Sequence, residues 1–385
     1  MVLWGLTIDA RQMVCARSTI PCGEGLQHLP FGVLTFVVRQ ADSPSYSYSN
    51  KMTTESPRVL ILTSSDIKLL LPMHECIDVM GNALADLARG EFLQPLRMVV
   101  RPPEARGVMA MMPAYRRGPQ STYGLKAICF FYENSLFNKD AHQGCVLLSS
   151  GETGELLAIM NATAITAIRT AAVSALAARL LSREDAHDLA IVGSGGQARM
   201  HLRAFSAVRQ IKRARVVSLN PDHPKRLADE MRDELPFPVE PMTNVEEALK
   251  DADLIVTATS AREPVTRRGW VSDGAHVTAI GTYSANSREI DSATMATARI
   301  FVDRRESALN EAGDFILPLK EGLITEDSIV GEIGEVLLGQ VPGRTSNDEI
   351  TLFKSLGLAI EDLACAEYLF EKAKRAGVGT WIPFE

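Results

Sequence analysis

The sequence predicts an α/β protein with a doubly wound parallel sheet and a second, discontinuous α+β domain. Two observations support this. Between residues 188 and 303, five short β-branched runs alternate with helical or loop segments, which is typical of a parallel sheet covered by helices. Residues 58–160 instead contain several strands in close succession around one helix, which indicates an antiparallel sheet.

The first 56 residues differ in composition from the rest of the chain. Ser43–Asn50 is a polar, low-complexity stretch of serine and tyrosine, and the fragments before it have no sustained hydrophobic period. Asp9 and Arg11 argue against a secretory signal. We expect residues 1–56 to form a disordered extension, with an organellar transit peptide as the alternative, and the compact fold to begin near Arg58.

The next part of the chain predicts a first domain, made of residues 57–185 and 330–385, to which the family resemblance described below assigns substrate binding and dimerisation. Apolar spacing predicts a helix over Met73–Ala88 that ends at Gly90. A second, alanine-rich helix follows the strands and leads into the next domain. The predicted strands and this helix cover residues 58–63, 96–101, 108–112, 123–131, 144–149, 156–160 and 164–181.

A glycine-rich turn at residues 193–198 predicts a dinucleotide site. Gly193 allows a tight turn after the strand, and Gly195 and Gly196 let the backbone approach a diphosphate. Gln197 begins a helix whose amino end points at the phosphates, and Ala198 lets that helix pack closely on the strand. With the strands around it, this G-x-G-x-x-A pattern predicts a Rossmann-type domain over residues 186–329.

The end of the second strand of this domain bears on cofactor choice. NAD sites usually place Asp or Glu there, whereas this strand, predicted over residues 214–220, ends at Asn220. Lys225 and Arg226 follow closely. NADP(H) is therefore favoured and NAD(H) remains possible, because a shifted register would offer Asp222.

Two further strand ends are predicted to face the cofactor. Thr257 and Thr259 end the fourth strand and are expected beside the nicotinamide ribose, and Gly281 ends the fifth strand. After Asp303 the pattern becomes irregular. A long helix is predicted from Asn347 to Arg375 and is expected to pack back on the first domain.

Composition restricts the function classes. Apolar residues make up 46% of the chain and the net charge is -7, and no block of Lys or Arg indicates nucleic acid or an anionic membrane as a partner. No apolar run approaches the roughly 20 residues of a membrane span. The six cysteines are scattered without a C-x-x-C pair, so we expect reduced thiols in a cytoplasmic protein and no metal site.

Several ordered motifs carry a family resemblance. They are Met112–Tyr115, Gly124–Ile128, Asn161–Ala172, Val192–Ala198, Glu332–Gly339, Gly343-Arg344 and Ile350–Asp362. With them the chain resembles the ornithine cyclodeaminase/mu-crystallin superfamily from about Val59 to Trp381. The resemblance implies a homodimer formed through the first domain and a nicotinamide cofactor in the second, contacted by Ser355.

The resemblance also implies small α-amino, α-keto or α-imino acids as substrates. Their carboxylate calls for positively charged donors, preferably an arginine fork. By match, Arg97, Lys126 and Arg169 are the candidate catalytic residues. Arg97 resembles the carboxylate-binding arginine and Arg169 is expected near cofactor and carboxylate. Lys126 is expected to bind substrate and donate a proton, with a pKa lowered by burial beside two arginines.

One position departs from the cyclodeaminases. Their acid-base aspartate, two residues after the glycine of the fifth strand, is replaced here by Tyr283, which is not a carboxylate base at neutral pH. Glu289 and Asp291 resemble the acids that start the following helix and are interpreted as structural. The substitution favours a single hydride transfer to a cyclic ketimine carboxylate of the pyrroline- or piperideine-2-carboxylate type.

Four alternatives remain open at this point. An alanine-type amino-acid dehydrogenase would differ only in pocket shape, and an ornithine cyclodeaminase would need another acid. A reductase with a larger substrate, shaped by Tyr115, Arg116 and Arg117, is the third. The last is an NADPH-dependent binding protein of the mu-crystallin type.

Overall fold

The computed structural model describes residues 57–137 and 139–384. Two eight-stranded sheets organise this part of the chain, and helices pack on both. The α/β class and the doubly wound parallel sheet are confirmed. The extension predicted over residues 1–56 lies outside the described residues.

The first sheet contains the strands β1 to β7 and the last strand of the chain, β16. Their bounds are β1 Arg58–Leu62, β2 Phe92–Leu93, β3 Met98–Val100, β4 Val108–Arg116, β5 Thr122–Phe130, β6 His142–Ser150, β7 Leu156–Asn161 and β16 Thr380–Pro383. The order is β16-β1-β7-β6-β5-β4-β2, with β3 also paired to β4. The sheet is antiparallel as predicted, except that β1 and β7 run parallel.

The second sheet is parallel throughout. Its strands are β8 Asp188–Val192, β9 Arg213–Val217, β10 Val239–Met242, β11 Leu254–Thr257, β12 His276–Ala279, β13 Arg299–Val302, β14 Ile329–Glu332 and β15 Thr351–Lys354. They follow the order β10-β9-β8-β11-β12-β15-β13-β14. The strands β8, β11, β12 and β15 are buried along their whole length, so buried and exposed residues do not alternate along them.

Eleven α-helices cover the sheets in the described part of the chain. They are α1 Ser64–Leu70, α2 Met73–Ala88, α3 Ala162–Leu181, α4 Gly196–Ser206, α5 Asp222–Met231, α6 Val245–Leu249, α7 Ser292–Thr297, α8 Arg305–Glu311, α9 Gly313–Lys320, α10 Ile333–Leu337 and α11 Ala359–Ala376. The central helix α3 contacts both the first sheet and α4, so it joins the two halves of the fold. Asn161 caps it by accepting a 2.9 Å hydrogen bond from the Ala164 amide.

The expectation that no apolar run approaches a membrane span is wrong for helix α3, which is long and apolar enough to cross a membrane by length and composition. In the described residues it alone meets this criterion, and 78% of its most apolar window is buried inside the fold. That burial is typical of a core helix. Its small side chains allow close packing, because Ala171, Ala172 and Ala175 are each 0% exposed.

The prediction of one long helix over Asn347–Arg375 is wrong for residues 347–358. Thr351–Lys354 forms β15, between β12 and β13, and the helix α11 begins only at Ala359. Gly357 adopts a left-handed φ of 75° and separates the two elements. A buried strand lacks the alternation that distinguishes it from a buried helix.

This correction also moves the domain boundary. Residues 330–354, assigned above to the first domain, contribute part of β14 and all of β15 to the second sheet. The chain returns to the first sheet with α11, which packs on β4 and β5, and with β16, which pairs with β1. The chain therefore passes from the second sheet to the helix that packs on the first sheet within residues 355–358.

Candidate active site

The glycine turn lies at the carboxyl end of β8. Gly193 has a φ of 116°, and a Cβ atom on it would lie 2.4 Å from the carbonyl oxygen of Ala258. Ala258 is held there because its amide donates to the Val192 carbonyl across the sheet. Glycine is therefore required at position 193 for both backbone conformation and space.

The amino end of α4 fits a dinucleotide diphosphate. A Cβ on Gly195 or Gly196 would meet no described heavy atom within 4 Å, and no described side chain caps the helix. The Oε1 atom of Gln197 is buried without a hydrogen-bond partner among the described residues. Free space, uncapped amides and an orphaned polar atom together form a suitable cradle for phosphates. Ala198 is fully buried, as helix-strand packing requires.

Glu289 organises the other strand ends predicted to face the cofactor. Its carboxylate accepts hydrogen bonds from the hydroxyls of Thr257 (3.0 Å) and Thr259 (2.7 Å) and from the Gly281 amide (2.7 Å). The expected helix-start role is correct for Asp291, which caps α7, and wrong for Glu289. Burial raises the pKa of the Glu289 carboxyl.

The second strand is shorter than predicted. β9 ends at Val217, so Asn220 lies three residues beyond it. Ser218 directly follows the strand, and its hydroxyl accepts a 2.9 Å hydrogen bond from Ser194 of the glycine turn. Asp222 is exposed at the start of α5, where its carboxylate lies 3.3 Å from the Lys225 ammonium.

Lys126 lies on the inward face of β5 and is only 3% exposed. Its Nζ atom lies 3.1 Å from Oδ1 and 3.3 Å from Oδ2 of Asp362, a buried residue in the first turns of α11. Burial, together with the positive charges of the nearby Arg169 and Arg97, lowers the pKa of Lys126 to about 8, and Asp362 opposes this shift. The predicted direction of this shift is confirmed.

Arg169 projects from α3 toward the same helix start. It donates from Nη1 to Glu361 Oε2 at 2.7 Å, and its Nε lies 3.5 Å from Asp362 Oδ1. Arg169 is 4% exposed and Glu361 is 0% exposed. Asp362 therefore lies between Arg169 and Lys126 and brings these two sequence-predicted residues together.

Arg97 closes the other side of the site. Its Nε donates to Glu311 of α8 at 3.0 Å, and its Nη2 donates to the carbonyls of Leu356 (2.9 Å) and Gly357 (3.1 Å). A Cβ on Gly357 would lie 2.6 Å from Nη1 of Arg169, so only glycine lets Arg169 lie this close to the turn. Arg97 and Arg169 thus contact the same turn, beside a cavity of about 10 Å³.

Asp303 holds that turn in place. One carboxylate oxygen accepts from the amides of Leu356 (2.6 Å) and Gly357 (2.8 Å) and from the Ser355 hydroxyl (3.1 Å). Ser355, expected as a cofactor contact, is 3% exposed and is engaged with Asp303. The residue that follows β13 therefore supports the turn that Arg97 and Arg169 contact.

Tyr283 lies at the aromatic end of the site. Its ring centroid lies 5.8 Å from that of Phe130 in an edge-on arrangement, and Phe130 contacts His142 at 4.4 Å. Burial lowers the pKa of His142 to about 4, helped by the charges of Lys126 and Arg169. His142 is therefore a neutral group near neutral pH.

Within residues 57–137 and 139–384, no group of His, Cys, Asp or Glu forms a metal site.

A model of the ornithine cyclodeaminase/mu-crystallin family matches residues 58–377. The chain belongs to this family. It is 36% identical over 306 residues to the ketimine reductase mu-crystallin of Mus musculus, covering 79% of this chain and 91% of that protein.

Two solved structures are closely similar to this chain in fold. One is the Delta(1)-pyrroline-2-carboxylate reductase of Thermococcus litoralis in complex with NADH and L-proline, with a TM-score of 0.81 and 38% identity over 84% of this chain and 99% of that one. The other is an archaeal alanine dehydrogenase dimer with bound NAD, with a TM-score of 0.80 and 31% identity over 85% of this chain and 100% of that one.

Sequence reasoning missed the acids of the site. Asp362, Glu361 and Glu311 were not singled out, although the first two end the C-terminal family motif. Adjacent acids in the apolar first turns of a helix are a usable signal, because buried carboxylates need paired cations. Their partners are 192 and 236 residues away, and only the fold reveals them.

Proposed function

We propose that this chain is an NAD(P)H-dependent reductase of a small cyclic imine carboxylate, of the pyrroline- or piperideine-2-carboxylate type. The observation that carries the proposal is the grouping of three basic residues: Arg97 and Arg169 contact the Gly357 turn, and Lys126 shares Asp362 with Arg169. Relatives named for ketimine and pyrroline-2-carboxylate reduction support it. The tyrosine at position 283 disfavours ornithine cyclisation, which needs an acid-base carboxylate.

The basic residues suit this chemistry in distinct ways. Arginine forks bind a carboxylate through paired, charge-assisted hydrogen bonds, which is the role proposed for Arg97 and Arg169. Positive charge beside the substrate also makes the imine carbon a better hydride acceptor. A bound nicotinamide supplies that hydride. Lys126 holds a proton at Nζ for the imine nitrogen, and its lowered pKa makes the transfer easier near neutrality.

The cofactor site is proposed to prefer NADP(H). Ser218, not an acid, follows β9, and Asp222 is exposed beside Lys225. Lys225 and Arg226 are exposed near this strand end, where a 2′-phosphate would lie. The proposed cradle also includes Gly193, Gly195, Gly196, Gln197 and Ala198, with Asn220, Thr257, Thr259, Gly281 and Ser355 as further candidates.

The deciding assay measures NADPH and NADH oxidation with purified protein. The panel contains pyrroline-2-carboxylate, piperideine-2-carboxylate and pyruvate with ammonia, and ornithine with NAD⁺ is assayed for ammonia release. We expect turnover with a cyclic imine, faster with NADPH. Turnover with pyruvate and ammonia alone would instead support an alanine-type dehydrogenase, and ligand binding without any turnover would support a binding protein.

The pH dependence follows from Lys126. A proton donor must be protonated, so kcat is expected to be flat below pH 8 and to fall as the pH rises through the pKa of Lys126. That pKa is about 8 without substrate, and a bound carboxylate raises it, so the decline begins at or above this value. A profile at saturating substrate tests this. A kcat that rises with pH would contradict a donor role.

A homodimer is proposed to form through the outer face of the first sheet. An apolar row crosses five adjacent strands on this face, with half-buried or exposed side chains. Its members are Pro113, Leu125, Leu147, Ile159 and Ile61. A continuous apolar surface of this kind is typical of a protein interface, and the similar alanine dehydrogenase is a dimer.

The substitution Leu125→Asp tests this interface. It places a charge at the centre of the row, so we expect a monomer in light scattering where the unchanged chain is a dimer. Leu219→Asp is the matched control, because Leu219 is an exposed leucine at the far sheet. A Leu125→Asp protein that remains dimeric would show that the dimer interface lies on another surface.

A further inference from the structure

The basic groups of the site are already neutralised before a substrate enters. Each has an acidic partner: Arg97 pairs with Glu311, Lys126 with Asp362, and Arg169 with Glu361 and, at 3.5 Å, with Asp362. The last two pairs are almost completely buried, since none of their side chains is more than 5% exposed. A substrate carboxylate therefore adds a negative charge to a buried, balanced cluster, which is costly unless a proton compensates it.

Glu361 is the acid best placed to accept that proton. Its Oε2 accepts from Arg169, but its Oε1 is buried and has no partner within the described chain. In contrast, both oxygens of Asp362 accept from Lys126, and Glu311 is 15% exposed. A buried oxygen without a partner favours the neutral acid over the carboxylate.

The surroundings of Glu361 act in the same direction. Burial, together with repulsion by Asp303 and Asp362, raises the pKa of Glu361 to about 7, and Arg169 opposes this rise. Four more distant charged or titratable groups also face the cluster. Arg97 directly precedes β3, Lys126 lies on β5, His142 lies on β6 and Glu311 lies on α8. His142 is neutral near pH 7, so Lys126 and Glu311, whose pKa is raised by burial, are the competing titrating groups.

We propose that Glu361 takes up one proton from solvent when the substrate carboxylate binds, and that this frees the Arg169 guanidinium to pair with the substrate. Glu361 is thus a positioning residue that acts through Arg169. The inference rests on the proposed function in requiring a carboxylate ligand at this site. It predicts that the affinity of the site for anions depends on pH because one buried acid, Glu361, gains a proton on binding.

Titration calorimetry tests this with pyrrole-2-carboxylate, a flat anion that resembles the proposed substrate. The full chain is saturated with oxidised nicotinamide dinucleotide and titrated in buffers of different ionisation enthalpy. At pH 7 we expect uptake of about half a proton per bound anion, because a group of pKa about 7 is half protonated there. L-Proline carries its own ammonium group and is expected to cause less uptake.

The variant Glu361→Gln keeps the shape of the side chain but cannot titrate. We expect it to bind pyrrole-2-carboxylate without proton uptake at pH 7 and with an affinity that no longer falls between about pH 7 and 8. Glu311→Gln is the matched control, another acid paired with an arginine, and is expected to retain the uptake. Equal uptake in Glu361→Gln and in the unchanged chain would overturn the proposal.

The unchanged chain also decides the matter if Glu361→Gln fails to fold. Uptake through Lys126, with a pKa about 8, would amount to only about a tenth of a proton at pH 7. Binding with that small uptake overturns the role of Glu361 and leaves the proposed function intact. If pyrrole-2-carboxylate does not bind at any pH, the proposed carboxylate site is itself wrong.

Discussion

Replacing Lys126 with methionine is expected to lower kcat by about 10³-fold, within the range of about 10²–10⁴ for loss of a positioned proton donor. Methionine keeps most of the packing volume of the side chain but removes the ammonium group. Dinucleotide affinity is expected to change little, because the glycine turn at residues 193–198 lies on β8 and α4. Steady-state kinetics and cofactor fluorescence titration measure the two effects separately.

The same change also affects stability. Asp362 loses its closest cation and retains only Arg169 Nε at 3.5 Å, so unfolding is expected to become easier by about 3 kcal/mol. Lys126→Arg is the control that separates catalysis from folding. Arginine preserves the ion pair with Asp362, yet it does not release a proton near neutral pH. Wild-type turnover in a folded Lys126→Arg protein would rule out proton donation by Lys126.

Replacing Gly195 with valine is expected to weaken dinucleotide binding by about two orders of magnitude while the melting temperature stays close to that of the unchanged chain. The backbone at Gly195 has a φ of -81°, which any residue adopts, and its Cβ would meet no described atom. The added side chain would instead occupy the space proposed for the diphosphate. Fluorescence titration with NADPH and thermal unfolding measure the two outcomes.

Gly193→Ala is the matched comparison in the same turn. Here the φ of 116° and the Ala258 carbonyl 2.4 Å from the new Cβ predict a loss of stability of about 2 kcal/mol or more. Substitution of Gly195 is thus expected to weaken dinucleotide binding, whereas substitution of Gly193 is expected to lower the stability of the fold. Unchanged dinucleotide affinity in Gly195→Val would contradict the phosphate-turn assignment.

The second sheet shows which strands can be located from local sequence patterns and which cannot. The strands β8, β11, β12 and β13 were located within a few residues, because each is a short apolar run bounded by turn residues. β15 was missed because it is only four residues long, ends in Lys354, and is followed after Gly357 by the apolar residues of α11, so the two elements resemble one helical run. Its β-branched and aromatic residues, followed by Gly357, were the available signal.

The candidate site shows a different limit. Arg97, Lys126 and Arg169 were named from motif resemblance, and the structure connects all three to the turn at Gly357 or to Asp362. Their acidic partners were not named, and neither was the role of Glu289 in holding Thr257 and Thr259. Ion pairs between distant positions leave no periodic mark in a sequence.

By itself the sequence determined the family, the glycine turn, most strands, the longest helices and the three candidate basic residues, because these depend on short-range patterns of glycine, charge and hydrophobic spacing. The tertiary structure alone decided which acid neutralises each base and where the chain leaves the second sheet. Both depend on burial, which sets the energy of a charge or an apolar run through neighbours distant in the chain.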